Sequence, residues 1–247
     1  MIIEVETLED LPSVNCKIIQ KKKGFRFTVD SILLVNFLKL KKNTNLLDIG
    51  TGTGIMPLLL CRKEEINLIT AVEIETEIAK MFEKTIEINS LKSKIKLINT
   101  DIKNYKEEPF DMIISNPPYM KLNEGYVSPH DYRAGARHEV NLDLKELLIN
   151  GKRLLKNGGS FNLVYRTNRF MEVLDEARML NLNAKRVRFI YSKPNQSSDL
   201  FMIEMIKGFK CACVVEEPLY IYNEHGEYTE ELKKYYDGSL IMHGLEK

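Results

Sequence analysis

The chain has 247 residues, 44% of them hydrophobic and 29% charged, which suits one α/β domain with a full core and excludes low-complexity sequence as its main body. Its 36 basic and 35 acidic residues leave a formal charge of +1, so a nucleic-acid partner has to be met by a local basic patch and not by a global field. The opening "MIIEVETLEDLP" lacks the basic and apolar regions of a signal peptide and "SILLVNFL" is too short to cross a bilayer, so a cytoplasmic location is expected, with no membrane and no obligate protein partner.

The first periodic segment is "GFRFTVDSILLVNFLKL", whose apolar stripe at Ile32, Leu33, Val35, Phe37 and Leu38 predicts a helix entered through Asp30 or Ser31 as its cap. It closes an N-terminal extension, residues 1–44. From about Asn45 strands and helices alternate, the signature of a doubly wound, mostly parallel sheet. "NLLDIG" is the first strand and "IMPLLLCRK" a helix that tolerates Pro57 in its first turn. "LITAVE" is the second strand, followed by a helix from about Glu75 to Asn89 with Ile78, Met81, Phe82, Ile86 and Ile88 as its apolar positions. "KIKLIN" and "FDMIIS" are strands three and four. A long polar loop then runs to about Val140, and "NLDLKELLINGKRLLKNGG" reads as a helix closed by its Gly-Gly pair. "SFNLVYR", a helix around Phe170 to Leu180, "AKRVRFIYS" and "DLFMIEMIKG" complete seven strands, with the sheet core placed at 45–210. Residues 211–247 supply a short strand, a turn and a terminal helix, too small for a second domain. The four cysteines, Cys16, Cys61, Cys211 and Cys213, have no zinc-site spacing, and Cys211 and Cys213 at i, i+2 are expected as core thiols on one strand face.

Chemistry enters with "LLDIGTGTGI". Asp48 ends a buried strand, and Gly50, Gly52 and Gly54 let the backbone pass close beneath a ligand before a helix begins. A dinucleotide fingerprint would put its third glycine one residue later, so that reading fits poorly. The loop resembles the D-x-G-x-G-x-G loop of class I S-adenosylmethionine-dependent methyltransferases. Glu73, 25 residues after Asp48 at the end of the second strand, is able to accept both ribose hydroxyls of a nucleoside. By the same resemblance Asp101 and the Ile102 backbone fall where that superfamily holds the cofactor adenine.

A buried strand that ends in "SNPPY" is unusual. Pro117 and Pro118 fix φ near −65° and bias their predecessors towards extended conformations. The resulting rigid loop presents Asn116 and the Pro117 carbonyl as two acceptors, and Tyr119 offers a ring for a planar base. Two acceptors suit a primary amine, and strand four should open into the same crevice as strand one. "DIGTGTG" with "SNPPY" therefore looks like the amino-methylating branch of class I methyltransferases, which acts on adenine N6, guanine N2 or glutamine N5.

Three further segments narrow the resemblance: "RFTVDSILL" at 26–34, "GARHEV" at 135–140 and "PLYIYNEHGEYTEELKKYYDG" at 218–238. In this order they are similar to the bacterial tRNA1(Val) adenine-37 N6-methyltransferase family, from about residue 13 to 238. The resemblance implies a seven-stranded Rossmann-like sheet, S-adenosylmethionine as cofactor and tRNA as partner. It adds Phe27, Thr28 and Asp30 as cofactor-site candidates, although Asp30 is also a natural helix cap and Phe27 an ordinary core aromatic. "YRTNRF" at 165–170 departs from the His-Arg-Pro of that family and leaves the contact of Arg166 open.

Phosphate contacts need basic side chains. Candidates are Lys21, Lys22, Lys23 and Arg26, then Arg133 and Arg137 in the long loop, then Arg166, Arg169, Arg186, Arg188 and Lys193 near later strand ends. His130 and His138 share the long loop but are not needed for chemistry. Two relatives of the same chemistry compete, a glutamine N5-methyltransferase acting on release factors and a guanine N2-methyltransferase of ribosomal RNA. The first carries a sizeable N-terminal helical domain, whereas 44 residues precede the first strand here. A non-catalytic RNA-binding factor that keeps the fold for shape is a more distant alternative.

Overall fold

The computed structural model describes residues 6–21, 29–118 and 143–236. It opens with a feature that no period in the sequence announced, an antiparallel hairpin of β1 (Glu6–Leu11) and β2 (Cys16–Lys21). A 3-10 turn at Pro12–Val14 joins them, with Asn15 left-handed at φ 48°. The hairpin packs on the helix α3 (Thr76–Ile88), where Asn89 accepts from the Lys17 amide and donates to the Lys17 carbonyl.

The helix α1 (Val29–Phe37) buries Ser31, Ile32, Leu33, Leu34 and Phe37. Asp30 and Ser31 therefore lie within the helix and do not cap it; Ser31 belongs to its buried face. Then follow β3 (Thr44–Ile49), α2 (Ile55–Leu60), β4 (Ile66–Glu73), α3, β5 (Ile95–Asn99) and β6 (Phe110–Ser115). After the next described stretch begins come α4 (Leu144–Leu154), β7 (Leu155–Arg166), α5 (Phe170–Met179), β8 (Leu182–Tyr191) and β9 (Ser198–Lys207). Two-residue strands β10 (Val214–Val215) and β11 (Leu219–Tyr220) and the helix α6 (Glu230–Tyr236) complete the described chain.

The seven expected strands form one sheet in the order β5-β4-β3-β6-β7-β9-β8, with β10 and β11 both added alongside β8. All neighbours are parallel except β9, which runs antiparallel to β7 and to β8. Helices cover the sheet, so its central strands read as continuous apolar runs: Leu46, Leu47, Ile113, Ile114, Phe161 and Phe201 are fully buried. The order reverses between β3 and β6, the switch point at which open α/β sheets part to form a crevice.

Two expectations need correction. The Gly-Gly pair does not close α4. The helix ends at Leu154, and Gly158 (φ 76°) and Gly159 lie within β7, where the register with β6 jumps between Phe110 and Met112. A Cβ on Gly159 would sit 2.9 Å from the carbonyl oxygens of Asp111 and Lys156, so the glycine serves a bulge in which backbones meet. Cys211 and Cys213 are exposed and outside any strand, because Gly208 at φ 84° turns the chain out of the sheet after β9. The buried thiols are Cys16 and Cys61.

Arg186 is also buried, and no phosphate reaches it. Its guanidinium lies 4.1 Å over the Phe37 ring, pairs with Glu204 and with Glu216 at 2.7 Å, and donates to the Phe37 carbonyl at 2.8 Å. β8 is thereby tied to the C-terminal end of α1, whose carbonyls lack helical partners. Removing one partner of such a pair leaves an uncompensated buried charge, so Arg186→Ala is expected to cost about 3–5 kcal/mol in urea denaturation. The double variant Arg186→Met with Glu204→Met should recover a large part of that loss.

Candidate functional site

Both chemical motifs sit at the carboxyl edge of the sheet, on neighbouring strands. β3 and β6 pair through Leu46 with Met112, Leu47 with Ile113 and Asp48 with Ile114. One residue further on, the Ser115 hydroxyl donates to the Ile49 carbonyl at 2.8 Å, which pins the chain just before Asn116. The glycine loop and the Asn-Pro-Pro segment therefore leave the sheet side by side.

The loop turns sharply. Gly50 and Thr51 both donate to the Val72 carbonyl, and Gly50, Gly52 and Gly54 have φ of 73°, 59° and 86°. At Gly54 a Cβ would run into the Phe82 ring, so glycine lets α2 start close against α3. At Gly50 a Cβ would meet nothing within 4 Å, so close packing is not the reason for glycine there. Its left-handed φ of 73° is what favours glycine there.

Asp48 is fully buried, accepts from the Thr51 hydroxyl at 2.7 Å through Oδ2, and has no hydrogen-bond partner at Oδ1. Burial pushes its carboxyl up to about 7, with the neighbouring Glu73 adding to the shift and the Thr51 hydroxyl opposing it. Glu73 is held at both oxygens, by the Gly52 amide at 2.8 Å and the Glu75 amide at 2.9 Å, yet its own burial still raises it above the usual carboxylate range. The Thr53 hydroxyl is a second buried polar atom in this loop without a partner, a residue that sequence reasoning passed over. Orphaned polar atoms in a glycine cradle are rare in finished cores and mark a place for a polar ligand.

Next along the edge, β4 pairs with β5, Glu73 lies opposite Asn99, and the Asn99 side chain donates to the Glu73 carbonyl at 2.8 Å. Asp101 follows, half-buried, accepting from the Lys103 amide, and Ile102 is buried beside it. Arg153 of α4 locks this turn by donating to the Ile102 and Tyr105 carbonyls at 2.9 and 2.7 Å. Its donor fork inside the fold was not legible from the sequence.

On the other side of the crevice Asn116 is half-buried, and its Nδ2 donates to the Ser31 hydroxyl at 2.9 Å. Pro117 is buried and Pro118 exposed. The expected site residues Phe27, Thr28 and Tyr119, and the basic candidates Lys22, Lys23, Arg26, Arg133 and Arg137, lie outside the described residues, as do His130 and His138. Asp30 sits in the first turn of α1, next to Ser31. Of the remaining basic candidates, Lys21 ends β2 on the hairpin, and Arg166 ends β7 at the crevice edge. Lys193 is exposed just beyond β8, beside the turn at Gly226. Arg188 donates to both Glu231 oxygens, to the Tyr235 hydroxyl and to the Glu217 carbonyl, which ties α6 to β8 and commits its charge within the fold. Arg169 is likewise occupied by Glu172 and Tyr165.

The fold agrees with what this chain resembles. Residues 25–190 match the family model described as "Methyltransferase small domain". The protein named tRNA1(Val) (adenine(37)-N6)-methyltransferase of Dyadobacter fermentans is 26% identical over 224 residues, covering 88% of this chain and 92% of that one. Its namesake in Tolumonas auensis is 35% identical over 146 residues, 59% of this chain and 61% of that one. Among solved structures, a protein of Agrobacterium tumefaciens described as a predicted O-methyltransferase superposes with a TM-score of 0.66 at 17% identity, covering 85% and 96% of the two chains. M. jannaschii TYW2, solved in complex with AdoMet, superposes with a TM-score of 0.56 at 16% identity, covering 84% and 89%. Likeness at that identity speaks for the fold.

The two raised carboxyls have a measurable consequence. With Asp48 moved from its ordinary 3.8 to about 7, the ligand-free folded protein binds more protons than the unfolded chain across that interval. Its contribution to stability therefore falls as pH rises from about 4 to about 7 and levels off above, with Glu73 acting in the same sense. Urea midpoints at about pH 5 and about pH 8 are expected to lie closer together in Asp48→Asn than in the parent protein.

Proposed function

We propose, from the premise that this chain belongs to the methyltransferase small domain family, that it transfers a methyl group from S-adenosylmethionine to the N6 of an adenine in tRNA. The observation that carries the reading is the juxtaposition of Asn116 with the glycine loop through the β3–β6 pairing. The cofactor is S-adenosylmethionine, and the loop suits it: an open face at Gly50, a buried Asp48 oxygen and a Thr53 hydroxyl awaiting partners, and an acid at the end of β4. Glu73 would hold the ribose hydroxyls through the lone pairs that its two backbone donors leave, and Asp101 with the Ile102 amide would hold the adenine. When bound, the cofactor supplies an activated methyl group on a sulfonium, so no further activation of the donor is required.

What the protein has to supply is the nucleophile in the right place. An exocyclic adenine amine is a weak nucleophile because its lone pair is conjugated into the ring. Asn116 Oδ1 and the Pro117 carbonyl accept its two hydrogens, favour a pyramidal nitrogen and aim the lone pair into the crevice. Fixed positioning of this kind is worth roughly 7–11 kcal/mol at best. The two prolines restrict the backbone that carries both acceptors. Tyr119 would stack on the base once it has been splayed out of the anticodon loop.

Position 37 of a valine tRNA is the finer reading, taken from the names of the relatives. Arg166 and Lys193, at the carboxyl ends of β7 and β8, are the described residues best placed for phosphate contacts, with Arg133 and Arg137 as further candidates. A cytoplasmic setting follows from tRNA as substrate. None of the helices among the described residues is long and apolar enough to cross a membrane.

The test is incubation with radiolabelled S-adenosylmethionine and unmodified total tRNA, then nucleoside digestion and chromatography. A labelled N6-methyladenosine peak is expected, and label confined to ribosomal RNA or to release factor would overturn the substrate. Asn116→Ala is expected to lower the rate by roughly a hundredfold or more, as loss of a positioned polar group in an active site does, while cofactor affinity changes little.

A further inference from the structure

Asn116 is gripped from a part of the chain 85 residues earlier. Ser31, on the buried face of α1, accepts from its Nδ2 at 2.9 Å. The two ends of a side-chain amide lie on opposite sides of its carbon, so a nitrogen committed to Ser31 turns the oxygen away from α1. We propose that Ser31 is a positioning residue that sets the rotamer of Asn116 and presents Oδ1, not the amide nitrogen, to the methyl-accepting amine. This inference rests on the reading of Asn116 as the acceptor of that amine.

The orientation matters because the two ends of the amide have opposite chemistry. An oxygen accepts an N–H from the amine, whereas an NH2 turned the same way would face those hydrogens donor to donor. Backbone restraint cannot decide between them: Ser115 and the prolines hold the main chain but leave the last torsion of Asn116 broad and two-fold. A partner on the side chain itself restricts that torsion, and in the structure Nδ2 donates to the Ser31 hydroxyl, which leaves Oδ1 pointing away from α1. Ser31 has little freedom of its own. It is 5% exposed, lies in the first turn of α1 and precedes Ile32, Leu33 and Leu34, all buried in the core. A short polar side chain at this buried place would otherwise be an unexplained cost, since alanine forms helix better.

Ser31→Ala removes the acceptor and leaves the helix. Steady-state methylation of tRNA should show kcat lowered by roughly tenfold, as follows from the loss of one partner of a partly buried hydrogen bond. The cofactor dissociation constant and the unfolding midpoint should stay near those of the parent. Ser31→Thr, which keeps the hydroxyl, should restore most of the rate. In ¹⁵N spectra the side-chain amide pair of Asn116, identified by its disappearance in Asn116→Ala, should shift in Ser31→Ala and return in Ser31→Thr. Unchanged kcat with unchanged Asn116 resonances in Ser31→Ala would overturn the inference. So would a loss of rate matched by loss of cofactor binding or stability, which would make Ser31 merely structural. The spectra need no tRNA, so a parent enzyme inactive on tRNA would strike the substrate reading while they still decide whether Ser31 holds the amide.

Discussion

The parallel pairing of β3 with β6 is the constraint on which the rest of the molecule depends. It spans only Leu46 to Asp48 on one strand and Met112 to Ile114 on the other, yet it fixes where two loops leave the sheet. Side chains alternate faces along a strand, so a slip of one residue would send every inward residue of β6 outward and carry Asn116 to the wrong side of the crevice. The near-continuous apolar sequence of both strands, buried on both faces, specifies burial but not register. Register is sharpened at the edges, by the Ser115 hydroxyl on the Ile49 carbonyl and by Asp111 accepting from the Asn45 amide at 3.0 Å. Polar contacts at the two ends of an apolar ladder thus do what its middle cannot.

At the carboxyl end of the same ladder the fold keeps a local conflict. Asp48 and Glu73 lie on adjacent strands, both buried and both raised by desolvation, and the Glu73 charge further disfavours ionisation of Asp48. A design made only for stability would replace them. Their arrangement makes sense if a ligand brings the missing donors, because the desolvation is then incurred at folding and not again on binding. Preorganised polar groups of this kind cost stability in the free protein and reduce reorganisation in the complex.

Much of this was legible in the sequence, and the reasons for the exceptions are physical. Long apolar runs bounded by polar turns revealed all seven core strands, and the expected placing of the alternate glycines and Asn-Pro-Pro at one carboxyl edge of the sheet is what the β3–β6 pairing gives. The hairpin was not visible because in "ETLEDL" only Leu11 is fully buried, so β1 has almost no apolar period to read. "KNGG" imitated a helix stop because glycine at positive φ serves a β-bulge as well as it serves a helix end. Cys211 and Cys213 had strand spacing, but spacing carries no information about where a strand stops. Arg186 and Arg188 read as phosphate-contact candidates, since their partners Glu204, Glu216 and Glu231 are separated from them in sequence and meet them only through the packing of β9, the segment after β10 and α6 against β8. Long-range polar pairing is the part of a fold that composition and period do not encode.

These hidden contacts converge on α1. At one end the Arg186 guanidinium caps the Phe37 carbonyl and covers the Phe37 ring; near the other, Ser31 holds the Asn116 amide. Between them Ile32, Leu33 and Leu34 fill the core against the sheet and α2. A helix clamped at its C-terminal end and packed along its length cannot drift by a fraction of an ångström without disturbing a buried ion pair, and a 2.9 Å hydrogen bond at its start inherits that stiffness. With Asn116 in its proposed role, α1 belongs to the catalytic apparatus. On that reading it supplies no reacting atom, yet it holds the amide of Asn116, the residue that follows β6, and precision at that amide is what a reaction governed by positioning requires.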